Sequence, residues 1–172
     1  MSSSSSKPPT KTDPETMTHV DERGAAWMVD VGAKPISKRV AIASSKVAMS
    51  AEAASALRAN ALAKGDCLQV ARIAAIQGTK WTSHLIPLCH AIPIDSVEAH
   101  FSWLSETELE WKVTVTSTGK TGVEMEALSG ASIAALTVYD MCKAIDRSIT
   151  IREICLIEKS GGERGDYARE IS

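Results

Sequence analysis

The sequence predicts an α+β fold, with antiparallel strands and helices packed on one side of them. Three observations lead there. Val97, Ala99, Phe101 and Trp103 alternate with polar residues, and Leu109, Trp111, Val113 and Val115 do the same. The polar stretch 105–108 joins the two runs into a hairpin with one buried face. Apolar residues then recur at Ala127, Ala131, Ala134, Val138, Met141 and Ile145, which is helical spacing over residues 123–145. Finally, branched residues at Ile149, Ile151, Ile154 and Ile157 read as a further strand.

The remaining elements follow in chain order. Residues 1–18 are rich in serine, proline and threonine with no apolar repeat, and read as a disordered tail. Asp13, Glu15 and the scarcity of arginine argue against a transit segment. Ordered sequence is expected from near Met28, and residues 19–172 are expected to form one domain. Residues 36–47 alternate through Val40, Ile42 and Ser44 as a strand would. The alanine-rich stretch 50–63 reads as a helix, with Ser50 as N-cap and Gly65 just beyond its end. Residues 68–81 are ambiguous, but Val70, Ile73, Ala74 and Gln77 favour a helix. The ending KSGGERGDY is too glycine-rich for a regular element, and no internal repeat is visible.

Composition narrows the function. At 172 residues, 44 % apolar and 23 % charged, the chain can bury a core without a metal or disulfide staple. A net charge of −2 and only 4 % aromatics argue against a nucleic-acid surface. No apolar run is long enough to span a membrane, and no secretory segment is visible. Cys67, Cys89, Cys142 and Cys155 form no CxxC pair and all lie among apolar residues, as small buried hydrophobes do. A reducing, cytoplasmic setting fits them.

Three segments place ionisable groups in apolar sequence: LIPLCHA (85–91), TGKTGVEMEAL (118–128) and YDMCKA (139–144). Such charges need partners or a ligand, because desolvating them alone is expensive. Asp140 and Lys143 share a helix face, as a plain ion pair or as an acid–base couple that Lys64 would assist. Glu124 and Glu126 point roughly 200° apart on an ideal helix, so they make one carboxylate pair only if the helix begins after Glu124. Near a helix start they are equally dipole-compensating residues. GKTG lacks P-loop spacing, which rejects a nucleotide-hydrolase site. Lys159 and Arg164 beside glycines suit phosphate, or a solvated loop. His90 alone among the histidines follows Pro-Leu-Cys, as a loop-presented or a structural side chain. No HExxH pattern and no metal-ligand cluster is present. The residues together suit acid–base work on a polar, phosphorylated small molecule.

The chain resembles the MoaC-type family of molybdenum-cofactor biosynthesis. The matching segments are MVDVGAK (28–34), KGD (64–66), LIPLCH (85–90), GKTGVEMEAL (119–128), AALTVYDMCKA (134–144) and KSGGERGDY (159–167), in one order over about residues 18–168. The resemblance implies a ferredoxin-like α+β fold, a homohexamer built as three dimers, and pockets at the dimer interface. It implies a cyclic pyranopterin monophosphate synthase: 3′,8-cyclo-7,8-dihydroguanosine 5′-triphosphate is converted to cyclic pyranopterin monophosphate, with release of pyrophosphate. No metal or redox cofactor is implied. By matching motifs it makes Asp140, Lys143 and Lys64 catalytic. It places Leu88, Cys89, His90, Met125, Glu126 and Glu124 around the substrate, and Arg39 and Lys159 toward its phosphates. Three positions depart from the family pattern. Ala91 stands where proline is common, and Trp81 and His84 stand where a basic or small residue and an acidic one are common. None of the three belongs to the Asp140–Lys143 couple.

Overall fold

The computed structural model describes residues 26–163 and 165–170. The chain divides into two compact units, Met1–Asp30 and Val31–Ser172. Residues 26–30 are the described part of the first, and the expected tail 1–18 lies outside the described residues.

In the second unit the strands are β1 (Ser37–Ala48), β2 (Ser96–Trp103), β3 (Glu108–Gly119), β4 (Thr150–Ser160) and β5 (Tyr167–Ala168). They form one antiparallel sheet in the order β2-β3-β1-β4-β5. The helices are α1 (Ala51–Arg58), α2 (Cys67–Lys80), the single turn α3 (Thr82–Leu85) and α4 (Glu124–Cys142). Reading β-α-β-β-α-β along the chain, with β1 held between β3 and β4, this is the ferredoxin-like topology. The hairpin register sets Phe101 opposite Trp111 and Val97 opposite Val115.

One sheet face carries the core. Ala41, Ala43 and Val47 of β1 lie beside Leu109, Trp111, Val113 and Val115 of β3, all fully buried. Burying each large side chain contributes about 1.5–3 kcal/mol. Alanines 127, 131, 134 and 135 of α4 and 71 and 75 of α2 meet them. These small residues let the helices sit close. A methyl at Gly130 would lie 2.6 Å from the Thr79 hydroxyl and 3.1 Å from the Ala75 carbonyl. The buried Ser45 hydroxyl donates to the Ala131 carbonyl at 2.8 Å and fixes α4 on the sheet.

Two expectations need correction. The alanine-rich helix stops at Arg58, not near residue 63. Ser50 does cap its start, accepting from the Ala53 N–H. Its end is a Schellman turn: Asn60 takes φ 51°, Asn60 N–H donates to Leu57 O, and Ala61 N–H donates to Ala56 O. Asparagine supplied the left-handed residue that was expected of glycine. The glycine-rich ending is also more regular than expected. β4 runs through Ser160 because Lys159 and Ser160 pair with Ala41 and Val40, and Tyr167 then pairs back on Lys159 as β5.

β4 carries two bulges against β1. Glu153 and Ile154 together oppose Ser45, with Glu153 at φ 51°, and Ile157 is the extra residue between the partners of Ala43 and Ile42.

Candidate active site

The expected site residues fall into two groups at opposite ends of α4. The first sits at its C-terminal end. The Asp140 carboxylate is held by Lys143 Nζ at 2.7 Å on one oxygen and by Lys64 Nζ at 2.8 Å on the other. Lys64 Nζ also donates to the Asp140 carbonyl at 2.9 Å. That carbonyl belongs to the last turn of the helix, where free C=O groups and the helix dipole favour a cation. Lys64 reaches it from the loop between α1 and α2, not from a helix end. The two ammonium groups hold the Asp140 carboxyl down to about 2, the Lys143 hydrogen bond being the larger cause. All three side chains are about half exposed. The apolar flanks of YDMCKA therefore pack elsewhere: Cys142 is buried against Cys67 at the start of α2, whose thiol that contact and burial push up.

The second group surrounds the N-terminal end of α4. Glu124 is its first residue, and its carboxylate lies 3.2 Å from Lys159 Nζ. Glu126, 3 % exposed, is held by packing, with the Thr79 hydroxyl on its backbone carbonyl at 3.2 Å. Burial, reinforced by the Glu124 charge, raises its carboxyl to about 7. α4 begins at Glu124 and the Glu124 carboxylate turns to Lys159, so the two glutamates influence each other through charge rather than as one carboxylate pair. Cys89 feels the same place: burial first, then the Glu126 charge, push its thiol up, so it lines the site as a neutral group. Cys89 and Cys155 are half-buried, less than expected. The loop bearing Leu88, Cys89 and His90 is tied to the end of β3. Ser117 Oγ donates to Pro93 O at 2.6 Å, and Thr118 Oγ1 donates to Asp95 at 2.7 Å. Arg39 is buried and donates from Nε to Gly119 O at 3.4 Å. Met125 is exposed on the first turn of α4. The GKTG and GAK segments meet here as well, through Lys120 Nζ on Gly32 O.

Asp140 lies fourteen residues beyond Glu126, about 21 Å along the helix axis. No side chain spans that distance, so one chain does not unite the two groups. Among the described residues no cluster of three or more His, Cys, Asp or Glu could hold a metal, and no helix is long and apolar enough to cross a membrane. Sequence reasoning missed the depth of Glu126 and the Lys159–Glu124 pair. The only signal was the apolar company of Glu126, Met125 and Ala127 against Val123 and Leu128.

Glu126 carries a pH prediction. Its folded pKa lies above the ordinary 4.5, so the folded protein binds the proton more tightly than the unfolded chain. That contribution is fully present below the unfolded value and lost as pH rises through about 7. Wild type should therefore lose roughly 2–3 kcal/mol relative to Glu126→Gln between pH 4 and pH 8. Urea midpoints at several pH values check this; parallel curves for the two proteins would refute it.

The fold and its two polar groups define an α+β enzyme domain suited to proton transfer on an anionic substrate. A family model of the MoaC family matches residues 28–162. Over 170 residues the chain is 49 % identical to a cyclic pyranopterin monophosphate synthase of Rhodopirellula baltica, covering 93 % of this chain and 97 % of that protein. A protein of the same name from Desulfitobacterium hafniense is 49 % identical, with 90 % and 94 % covered. Another from Natranaerobius thermophilus is 46 % identical, with 91 % and 99 % covered. The chain belongs to the MoaC family.

Proposed function

We propose that this protein is a cyclic pyranopterin monophosphate synthase, a lyase of molybdenum-cofactor biosynthesis. It converts 3′,8-cyclo-7,8-dihydroguanosine 5′-triphosphate into cyclic pyranopterin monophosphate and pyrophosphate. The observation that carries the reading is the Asp140 carboxylate braced between two half-exposed lysines. In the reaction the purine-derived ring opens and recloses as a pterin. A substrate hydroxyl attacks the α-phosphorus, its proton leaves, and the bond to pyrophosphate breaks. Lys143 and Lys64 supply and accept protons in these steps, while Asp140 fixes both ammonium groups at hydrogen-bond distance. Lys159 and Arg39 offset phosphate charge, and Leu88, Cys89, His90, Met125, Glu124 and Glu126 line the remainder of the site.

This assignment needs a second copy of the chain. With about 21 Å along α4 between Glu126 and Asp140, a compact pocket forms only where the Asp140 end of one subunit meets the Glu126 end of another. The helical layer offers surface for assembly: Ile73 is 68 % exposed and Leu136 53 %. A homohexamer of three dimers satisfies this with closed symmetry. The four free thiols suit a reducing cytoplasm.

Incubation with the cyclised triphosphate should release one pyrophosphate per substrate consumed, read by a coupled phosphate assay. Folded protein that releases none would overturn the assignment.

A further inference from the structure

We infer that Gly122 is a positioning residue: its missing side chain leaves the space in which the Glu124 carboxylate lies, and so keeps that carboxylate on the Lys159 ammonium. The inference deepens the reading above, in which Lys159 faces the substrate phosphates.

A glycine is usually required by a left-handed backbone, and Gly122 is not in one. The described glycines at positive φ are Gly65, Gly161 and Gly165. Its φ lies outside the left-handed region, so the argument for glycine here is one of space. A Cβ built at Gly122 would lie 1.8 Å from Glu124 Oε2, 2.6 Å from its Cδ and 2.8 Å from Oε1. The three nearest atoms are one carboxylate, and no backbone atom stands among them. Glu124 is the first residue of α4, and Val123 before it provides no side-chain cap. The Glu124 side chain therefore does not project along the helix. It curls back over residue 122, where its other oxygen meets Lys159 Nζ at 3.2 Å. Both partners are more than two-thirds buried, at 29 % and 27 % side-chain exposure, so the pair is less screened than a surface one.

The obstructed atoms are the far end of a flexible side chain. An alanine at 122 therefore leaves the loop and α4 in place and expels the carboxylate. Lys159 then loses its partner and its fixed direction, while the Asp140 group at the other end of α4 is untouched. Gly122 acts through Glu124, and Glu124 through Lys159.

The test combines acetylation of lysines, read residue by residue by mass spectrometry, with steady-state kinetics. It uses full-length wild type, Gly122→Ala, Glu124→Ala and the double variant. Gly122→Ala should speed acetylation of Lys159 about two- to fivefold and leave Lys64 and Lys143 at wild-type rates. It should raise KM by a similar factor, with kcat within about twofold. In the Glu124→Ala background the same glycine change should add nothing, because the two act as one unit. Wild-type labelling of Lys159 in Gly122→Ala, or an equal effect of the change with and without Glu124, would overturn the inference. Labelling that follows the expected pattern in protein without turnover upholds it and overturns the functional assignment alone.

Discussion

Arginine in place of Lys143 should keep the ion pair with Asp140 and still lower turnover about 10²–10⁴-fold. The guanidinium retains the charge but gives up no proton at accessible pH. Alanine should cost a similar factor in turnover and more in substrate affinity. The structure alters what alanine does locally. From sequence, removing Lys143 would leave Asp140 unpaired. In the folded chain Lys64 still holds that carboxylate at 2.8 Å, so the variant loses one donor and keeps an oriented, ionised aspartate. Its fold and assembly should match wild type by circular dichroism and light scattering. Steady-state kinetics decide the matter: near-wild-type turnover in Lys143→Arg would show that the residue only balances charge.

The separation of the two polar groups predicts complementation. Lys143→Ala is defective at one end of α4, and a Glu126→Ala/Lys159→Ala variant is defective at the other. Each alone should be nearly inactive. In a dimer that shares its pockets, a mixed pair holds one doubly defective site and one intact site. Random pairing makes half of the dimers mixed, so activity should recover to about a quarter of wild type. Co-expression of the two variants and turnover of the whole unfractionated pool give the number. Activity no higher than the mean of the parents would place each site within a single chain.

The architecture was legible because each long element buries one face only. The hairpin showed as two period-2 runs and Ser50 as a cap, whereas Asp66, which caps α2 by accepting from the Gln69 N–H at 3.1 Å, was not read as one. Legibility failed where tertiary contacts decide. The alanine pattern runs past Arg58 without a break, and only the left-handed Asn60 ends the helix. Lys159 and Ser160 became strand because β1 offered free hydrogen-bond partners, which no local composition announces. At the site, the Asp140–Lys143 couple was visible as a three-residue spacing. The equally close Lys64 lies 76 residues away in sequence; its place beside Gly65 made it a candidate, and the family resemblance made it catalytic. The residues alone left Glu126 between dipole compensation and a pocket role. Its burial depends on how closely α2 approaches α4, a matter of Gly130 and Thr79 rather than of its own neighbours.

The two bulges in β4 obey a parity rule. Ile151, Leu156 and Lys159 stand opposite Val47, Ala43 and Ala41, all on the helix-covered face of β1. Their spacings of five and three are odd, whereas a regular strand returns to one face at even steps. Each bulge absorbs one extra residue and keeps the residues beyond it opposite their β1 partners. This is why Ile149, Ile151, Ile154 and Ile157 never read as clean alternation. It also leaves the position of Lys159 set by its pairing with Ala41 rather than by the number of residues before it. Deleting either extra residue would regularise the ladder locally and still leave Lys159 opposite Ala41, with its ammonium on the side of Glu124. Each bulge is thereby a place where β4 can lose one residue without turning Lys159 over.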